Sequence, residues 1–212
     1  INTILVMNGT TNGSTNITNN GGLYVYSGSR INSSNASIRY DALIQSNYTI
    51  IQNSFIDDAG YTGGTWGALF SSVYNLNFRN NTVNRSYGLN FSGGQGAVVY
   101  NNSFWNSNNT ILFESSSSNN NLNVSLNKIN YSINAITLSG VNNSFVDNNT
   151  VQNAYAGIVS KDSVRKNYNI TARQNYFFNN TFGAALSYLH SSVFSHNQYA
   201  NSTASAGSIA LE

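Results

Sequence analysis

From residue 50 onward, apolar and polar positions follow one phrase that recurs with an elastic period. The copies are Ile50-Ile51-Gln52-Asn53-Ser54-Phe55, then Phe78–Val83, Val99–Phe104, Val124–Ile129, Val146–Val151, Ala172–Phe177 and Phe194–Tyr199. Take the anchoring Asn as position zero. That column reads Asn53, Asn81, Asn102, Asn127, Asn149, Asn175 and Asn197, with steps of 28, 21, 25, 22, 26 and 22 residues. Position −3 (Ile50, Phe78, Val99, Val124, Val146, Ala172, Phe194) and position +2 (Phe55, Val83, Phe104, Ile129, Val151, Phe177, Tyr199) are apolar in every copy, so both should face a core. Position −2 (Ile51, Arg79, Tyr100, Ser125, Asp147, Arg173, Ser195) is mostly polar and should face water. This two-residue alternation predicts strands. A repeat in the twenties predicts a stacked solenoid.

Each copy is followed by a second apolar strand that opens on a small or β-branched residue. Examples are Gly67–Ser71, Gly88–Ser92, Thr110–Glu114, Ala135–Ser139, Gly157–Lys161, Gly183–Ser187 and Gly207–Leu211. Their second and fourth residues should point inward, which would stack Phe70, Phe91 and Phe113. The predicted fold is all-β, a single-stranded right-handed parallel β-helix (solenoid) of about 7 to 9 rungs. Residues 47–210 should form the helix. Residues 1–46 should form looser N-terminal rungs or a cap, with Leu23–Tyr26 and Ser37–Tyr40 as strands. The abrupt start at Ile1 reads as an excised mature region, and residues 211–212 read as a cloning scar.

The Asn column has a structural explanation. Asn tolerates left-handed backbone at a corner, and its amide can bond its counterparts on neighbouring rungs. Gln52, Asn80, Asn101, Asn148 and Gln174 should add a second amide column.

Composition narrows the function. The chain has 212 residues, 8% of them charged, and a net charge of +2. Its 40 Asn, 31 Ser and 15 Thr carry the polar surface. Arg165-Lys166 is the only adjacent basic pair, which argues against nucleic-acid binding. No apolar run reaches the length of a membrane span. Cysteine is absent, so disulfides and Cys-based zinc sites are excluded. Asn-x-Ser/Thr occurs 18 times, at Asn8, Asn47, Asn90 and Asn201 among others, and suggests an exported, glycosylated protein. The repeat itself accounts for part of that excess.

The phrase apolar-x-x-Asn-x-apolar-x-Asn followed by Gly-apolar-x-apolar-Ser resembles the right-handed β-helix repeats of the pectin lyase-like superfamily. In style it is most similar to NosD-type periplasmic and archaeal surface proteins. The charge-poor, Asn/Ser/Thr/Tyr-rich composition is similar to that of secreted proteins of acidophilic archaea. The resemblance implies an extracellular or cell-surface location. It leaves activity open, since members range from polysaccharide lyases and hydrolases to adhesins.

Catalysis on a glycan needs converging carboxylates. The acidic residues here fall in different columns and distant rungs. If the chain is an enzyme, Asp57 and Asp58 are its catalytic residues, at the head of the long Gly-rich turn 57–66, where calcium would be the cofactor. The plainer expectation pairs Asp57 with Arg85, and Asp147 with Arg173, across adjacent rungs. His190 and His196 have no acidic partner nearby in sequence and read as corner or surface residues. Tyr61, Tyr100 and Trp105 are the expected ligand-binding aromatics, because flat rings supply rigid apolar area with a polar tip. Trp66 and Tyr87 have inward parity.

The leading expectation is a noncatalytic extracellular surface or adhesion module that binds glycans along one face. The alternatives are a lyase or hydrolase at the 57–66 loop, and a structural spacer from a longer surface protein. End-to-end self-association is expected wherever a rod end is uncapped.

Overall fold

A computed structural model describes residues 4–7, 13–17, 24–25, 30–33, 40–44, 50–53, 55–57, 68–71, 74–85, 88–92, 94–161 and 166–202. For those before residue 50, and for 55, 57, 68–71, 92 and 115–119, it gives the course of the main chain alone. The described residues are strands and corners without a helix, and all their strand pairings are parallel. One column of main-chain partners runs Leu5, Ile31, Ile56, Val83, Phe104, Ile129, Val151, Phe177 and Tyr199, so the chain climbs through nine stacked levels.

Where all of a level is described, it has three strand-bearing sides. Side A carries positions −4 to −2, as in Asn77–Arg79, Val98–Tyr100 and Asn123–Ser125. Side B carries positions +1 to +3, as in Thr82–Asn84 and Tyr176–Phe178. Side C is the second strand, as in Ala68–Ser71 and Leu89–Ser92. In the middle of the rod the strands continue round the corners, as in Ser103–Asn120, Lys128–Asp147 and Thr150–Ser160.

Left-handed residues set the corners. They recur at five-residue intervals within a level, as at Asn143, Asn148 and Asn153 and again at Asn169, Gln174 and Asn179. A left-handed residue turns the chain, and Asn accepts that conformation with little penalty. Leu126 and Tyr131 hold equivalent corners at φ 58° and 56°, so stacking imposes the turn even where the side chain disfavours it.

The interior follows the predicted parity. Phe78, Val99, Val124, Val146 and Ala172 form one buried column, and Val83, Phe104, Ile129, Val151 and Phe177 form another. Side C adds Leu89, Phe91, Ile111, Phe113, Ile136 and Leu138. Phe91 and Phe113 stack with ring centroids 4.6 Å apart, and the main chain of Phe70 is in register with Phe91. Tyr199 departs from its column. It is 40% exposed in the last described level, although its ring still stacks on Phe177 at 5.1 Å.

The first copy of the phrase needs a correction of one residue. Ile51, not Ile50, pairs with Phe78, and Ile56, not Phe55, pairs with Val83. Ile51 is therefore buried rather than facing water. Asn53 leaves the ladder column and takes the left-handed corner at φ 51°, equivalent to Asn80 and Asn101. Asp57 likewise registers with Asn84 instead of Arg85. A slip of one residue exchanges the two faces of a strand. Ile50-Ile51 and Phe55-Ile56 offer apolar side chains in both registers, so only stacking decides between them.

Among the described residues, the buried polar side chains are all Asn, Ser or Thr. The Asp147–Arg173 ion pair (3.3 Å) lies on side A in the predicted register, with the arginine side chain half exposed. Such a pair contributes about 0–1 kcal/mol. Acid should therefore remove little stability, because protonation changes the free energy only where folded and unfolded pKa values differ. We expect the thermal unfolding midpoint to change little between about pH 3 and pH 9. A sharp loss of β-sheet circular dichroism between pH 7 and pH 3 would contradict this.

The alkaline side should differ. Desolvation raises the Tyr199 pKa above its ordinary 10.0. The fold thus favours the neutral phenol. That stability is complete below about pH 10 and is lost as pH rises through the raised value.

Candidate functional site

On side B, main-chain register stacks alternate residues in two columns. The +3 column reads Asp57, Asn84, Trp105, Asn130, Gln152, Phe178 and Ala200. The +1 column reads Phe55, Thr82, Ser103, Lys128, Thr150, Tyr176 and Gln198. A groove of about 200 Å³ lies across the middle of this side, lined by Trp105, Lys128, Asn130, Thr150 and Gln152, with Phe104 and Ile129 at its base. This is below the roughly 300–1,000 Å³ of drug-sized sites, and it suits one unit of a chain lying along the rod.

The groove combines an aromatic wall and an apolar base with a few polar groups. Trp105 is 43% exposed, so much of its ring meets solvent. Three levels further on, about 14 Å at ~4.8 Å per level, Tyr176 and Phe178 stack with ring centroids 6.3 Å apart. Between these aromatics lie the ammonium of Lys128, the amides of Asn130 and Gln152 and the hydroxyl of Thr150. Asn130 is held in place by its corner neighbour, since Asn153 Nδ2 donates to Asn130 Oδ1 at 2.8 Å.

The predicted ligand residues separate. Tyr100 is on side A, between Arg79 and Ser125. The corner at Asn101, φ 51°, turns the chain before Trp105 on side B. Tyr100 and Trp105 therefore do not share a surface. Tyr61, Asp58, Trp66 and Tyr87 lie outside the described residues. Asp57 shares the +3 column with Trp105, two levels away. Among the described residues, no group of three His, Asp or Glu side chains converges as a metal site would. His190 stacks on Tyr168 at 5.0 Å, and His196 holds a left-handed corner. Lys128, Asn130, Thr150, Gln152, Tyr176 and Phe178 carry no motif. Reading the +1 and +3 columns as the −2 column was read would have found them.

The ladder column is structural in its six later members. Each amide donates to the next: Asn81 to Asn102 (3.1 Å), Asn102 to Asn127 (2.9 Å), Asn127 to Asn149 (3.0 Å), Asn149 to Asn175 (3.0 Å) and Asn175 to Asn197 (2.9 Å). Each Nδ2 also donates to a carbonyl of the preceding level, such as Val99 O for Asn127 and Val124 O for Asn149. Both amide ends are used within the rod, so this column is not a ligand site. The second amide column is looser and exposed, with Asn101 donating to Asn80 at 2.9 Å and Asn148 to Gln174 at 3.4 Å. In the first copy, Arg79 Nε donates to Gln52 Oε1 at 2.8 Å, which is the side A position that the corrected register assigns to Gln52.

No curated protein matches the chain. Among the described residues, no helix is long and apolar enough to cross a membrane. The family described as right-handed beta helix region matches residues 66–211, well over half of the sequence. With its parallel stacked levels and internal Asn ladder, the chain belongs to the right-handed β-helix family.

Proposed function

We propose that this chain is a noncatalytic surface module that holds a glycan along side B. The observation that carries the reading is the Trp105 groove. An exposed indole stands beside amide, hydroxyl and ammonium groups over an apolar base. Sugar rings present apolar C–H faces and hydroxyl edges, and a flat aromatic with adjacent hydrogen-bonding groups complements both. A rigid strand surface also holds its side chains in place before the ligand arrives, which limits the ordering cost of binding. The low charge, the polar uncharged surface and the 18 sequons support an exported location.

Trp105→Ala is expected to weaken glycan binding by about tenfold or more, since truncating a central aromatic typically costs at least 1–2 kcal/mol. Tyr100→Ala should leave binding within about twofold, because its side chain is on the neighbouring side. A glycan array with the purified chain, run with and without calcium, followed by calorimetry of the two variants, checks both. Equal losses in the two variants would contradict the placement of the site on side B.

A lyase or hydrolase reading draws on Asp57, which stands in the column of Trp105. Cleavage of any bound sugar on the array would establish that reading instead, and loss of cleavage in Asp57→Asn would assign the residue. A chain that bound no glycan would be a spacer in a longer surface protein.

A further inference from the structure

The rod places its Asn-x-Ser/Thr triplets by a rule. Two residues after each ladder Asn comes the inward +2 position, such as Val83, Phe104, Ile129 or Val151. A ladder Asn therefore cannot head a triplet without putting a hydroxyl in the core. Two residues after the corner Asn that precedes it comes the partly exposed +1 position of side B. Thr82, Ser103 and Thr150 there complete triplets headed by Asn80, Asn101 and Asn148. Other corners repeat the arrangement with Asn169, Asn179 and Asn201. All six of these Asn residues are exposed and left-handed, with φ from 51° to 54°.

The amide hydrogens separate the two kinds of Asn. Each Asn Nδ2 carries two. In the ladder both are used. Asn102 donates to Phe78 O at 3.0 Å and to Asn127 Oδ1 at 2.9 Å, and Asn149 donates to Val124 O at 2.8 Å and to Asn175 Oδ1 at 3.0 Å. At the corners only one is used. Asn101 donates to Asn80 at 2.9 Å, Asn148 to Gln174 at 3.4 Å, Asn169 to Asn143 at 2.8 Å and Asn179 to Asn153 at 2.6 Å. One hydrogen of each corner amide is thus replaceable, and the other can keep the bond to the neighbouring level. Asn90 heads a triplet of the opposite kind. It is 2% exposed, and neither of its amide atoms reaches solvent. A bulky substituent has no room there.

We infer that the exposed left-handed corners are attachment sites for N-linked glycans, Asn148 foremost, and that Asn90 stays bare. The assignment rests on the exported location proposed above and is independent of the groove. The donor is an oligosaccharide carried on a lipid phosphate or diphosphate. Asn Nδ2 forms a bond to C1 of the first sugar as the bond from C1 to the phosphate oxygen breaks. Nδ2 gives up one proton, and the lipid phosphate leaves with the electron pair. Asn148 comes first because its vertical neighbours at that corner are Leu126 and Gln174, neither of which accepts a sugar. A glycan there meets no second glycan on the adjoining levels of its corner. Asn80 and Asn101 are on adjacent levels, ~4.8 Å apart, so their glycans would compete for the same space.

The test is secretion of the chain through a eukaryotic secretory pathway, with mass spectrometry of each triplet in the folded, soluble product. Glycan is expected at Asn148, Asn169 and Asn179, and none at Asn90. Asn148→Gln should remove its own glycan alone and leave the circular dichroism unchanged, because Gln174 holds the same corner at φ 56°. Thr150→Ala should also remove that glycan while Asn148 stays in place. A peptide-N-glycosidase should release the corner glycans without denaturant. A folded product bare at Asn148, or one glycosylated at Asn90, would overturn the inference. So would a parent chain that is secreted folded only as Asn148→Gln, since the corner would then not tolerate a glycan. The host imposes export in this experiment. Bare corners would therefore overturn the modification and leave the exported location and the groove standing, whereas silence on the glycan array would do the reverse.

Discussion

Asn127→Ala should lower the unfolding free energy by about 4 kcal/mol, among the largest effects of any single polar substitution in this rod. Asn127 is fully buried at the centre of the ladder. Its Nδ2 donates to Val99 O at 2.9 Å and to Asn149 Oδ1 at 3.0 Å. Its Oδ1 accepts from the Asn102 backbone N–H at 3.1 Å and from Asn102 Nδ2 at 2.9 Å. Alanine removes all four bonds, takes a donor from the Val99 carbonyl and takes the Asn127 acceptor from the buried Asn102 N–H. A buried group left unsatisfied costs about 1–3 kcal/mol, far more than the net gain of a made bond. Urea unfolding followed by circular dichroism measures the loss. The exposed Asn101→Ala is the control and should cost about 1 kcal/mol, chiefly from placing alanine in a left-handed corner. Comparable losses from the two would show that the ladder is no stronger than the surface amides.

Asn127→Asp sharpens the same test through pH. A carboxylate there would face the Val99 carbonyl and the Asn149 Oδ1, both acceptors, in a fully buried site. Burial and these acceptors should raise its folded pKa above the unfolded value near 3.9. Stability would then be greatest below that unfolded value and fall as pH rises through the folded one. The variant should therefore be more stable at pH 3 than at pH 7, a dependence that the parent chain should lack.

Gly88→Ala should be as damaging, at about 3–5 kcal/mol, through a different mechanism. Gly88 opens side C at φ +136°, a conformation that side-chain-bearing residues rarely adopt. A Cβ there would lie 1.4 Å from the carbonyl oxygen of Asn109 on the next level and 2.6 Å from its carbon. Main chain cannot yield as a flexible side chain can, so the two levels would have to separate. Gly157 and Gly183 also lack room for a side chain. A Cβ on Gly157 would meet the Gly183 carbonyl oxygen at 2.3 Å and the Phe177 ring at 2.4 Å, and one on Gly183 would meet the Tyr199 ring at 2.1 Å. These rings belong to the following level. Because each level in a solenoid is stabilised mainly by its neighbours, Gly88→Ala should expose amides nearby more than those near Gln198. Hydrogen exchange resolves this. Uniform loss of protection along the rod would show that the whole helix unfolds as one unit.

The comparison of Asn53 with Asn127 shows where sequence reading succeeds and where it stops. Around Asn127 the phrase is unambiguous, because Val124 and Ile129 are each flanked by polar residues. Only one register buries them. Around Asn53, Ile50-Ile51 and Phe55-Ile56 are apolar doublets, and the alternation carries no information about which member is inside. The structure resolves the choice by stacking Ile51 on Phe78 and Ile56 on Val83. The same shift moves Asn53 to the corner and moves Asp57 off the expected Arg85. Ladder and corner residues are adjacent Asn residues in Asn80-Asn81, Asn101-Asn102 and Asn148-Asn149. Composition alone does not say which of each pair turns the chain and which faces inward.

The candidate site depended still more on three dimensions. Trp105 was legible as an exposed aromatic, since its neighbour Phe104 takes the inward position. Its partners Lys128, Asn130, Thr150 and Gln152 come from the next two levels, 23 to 47 residues along the chain. Nothing local marks them. Tyr100 is only five residues from Trp105 but lies beyond the corner at Asn101, so proximity in sequence does not put the two on one side.

The sequence by itself determined the rod, its parallel stacking, the inward columns and the amide ladder, because each is a short-range pattern repeated until chance cannot explain it. The tertiary structure alone decided the register of the first level, the corner that separates Tyr100 from Trp105, and the grouping of a tryptophan with a lysine and two amides into one groove. Those depend on which residues are vertical neighbours, and turns of unequal length between levels make that spacing unreadable until the strands are stacked.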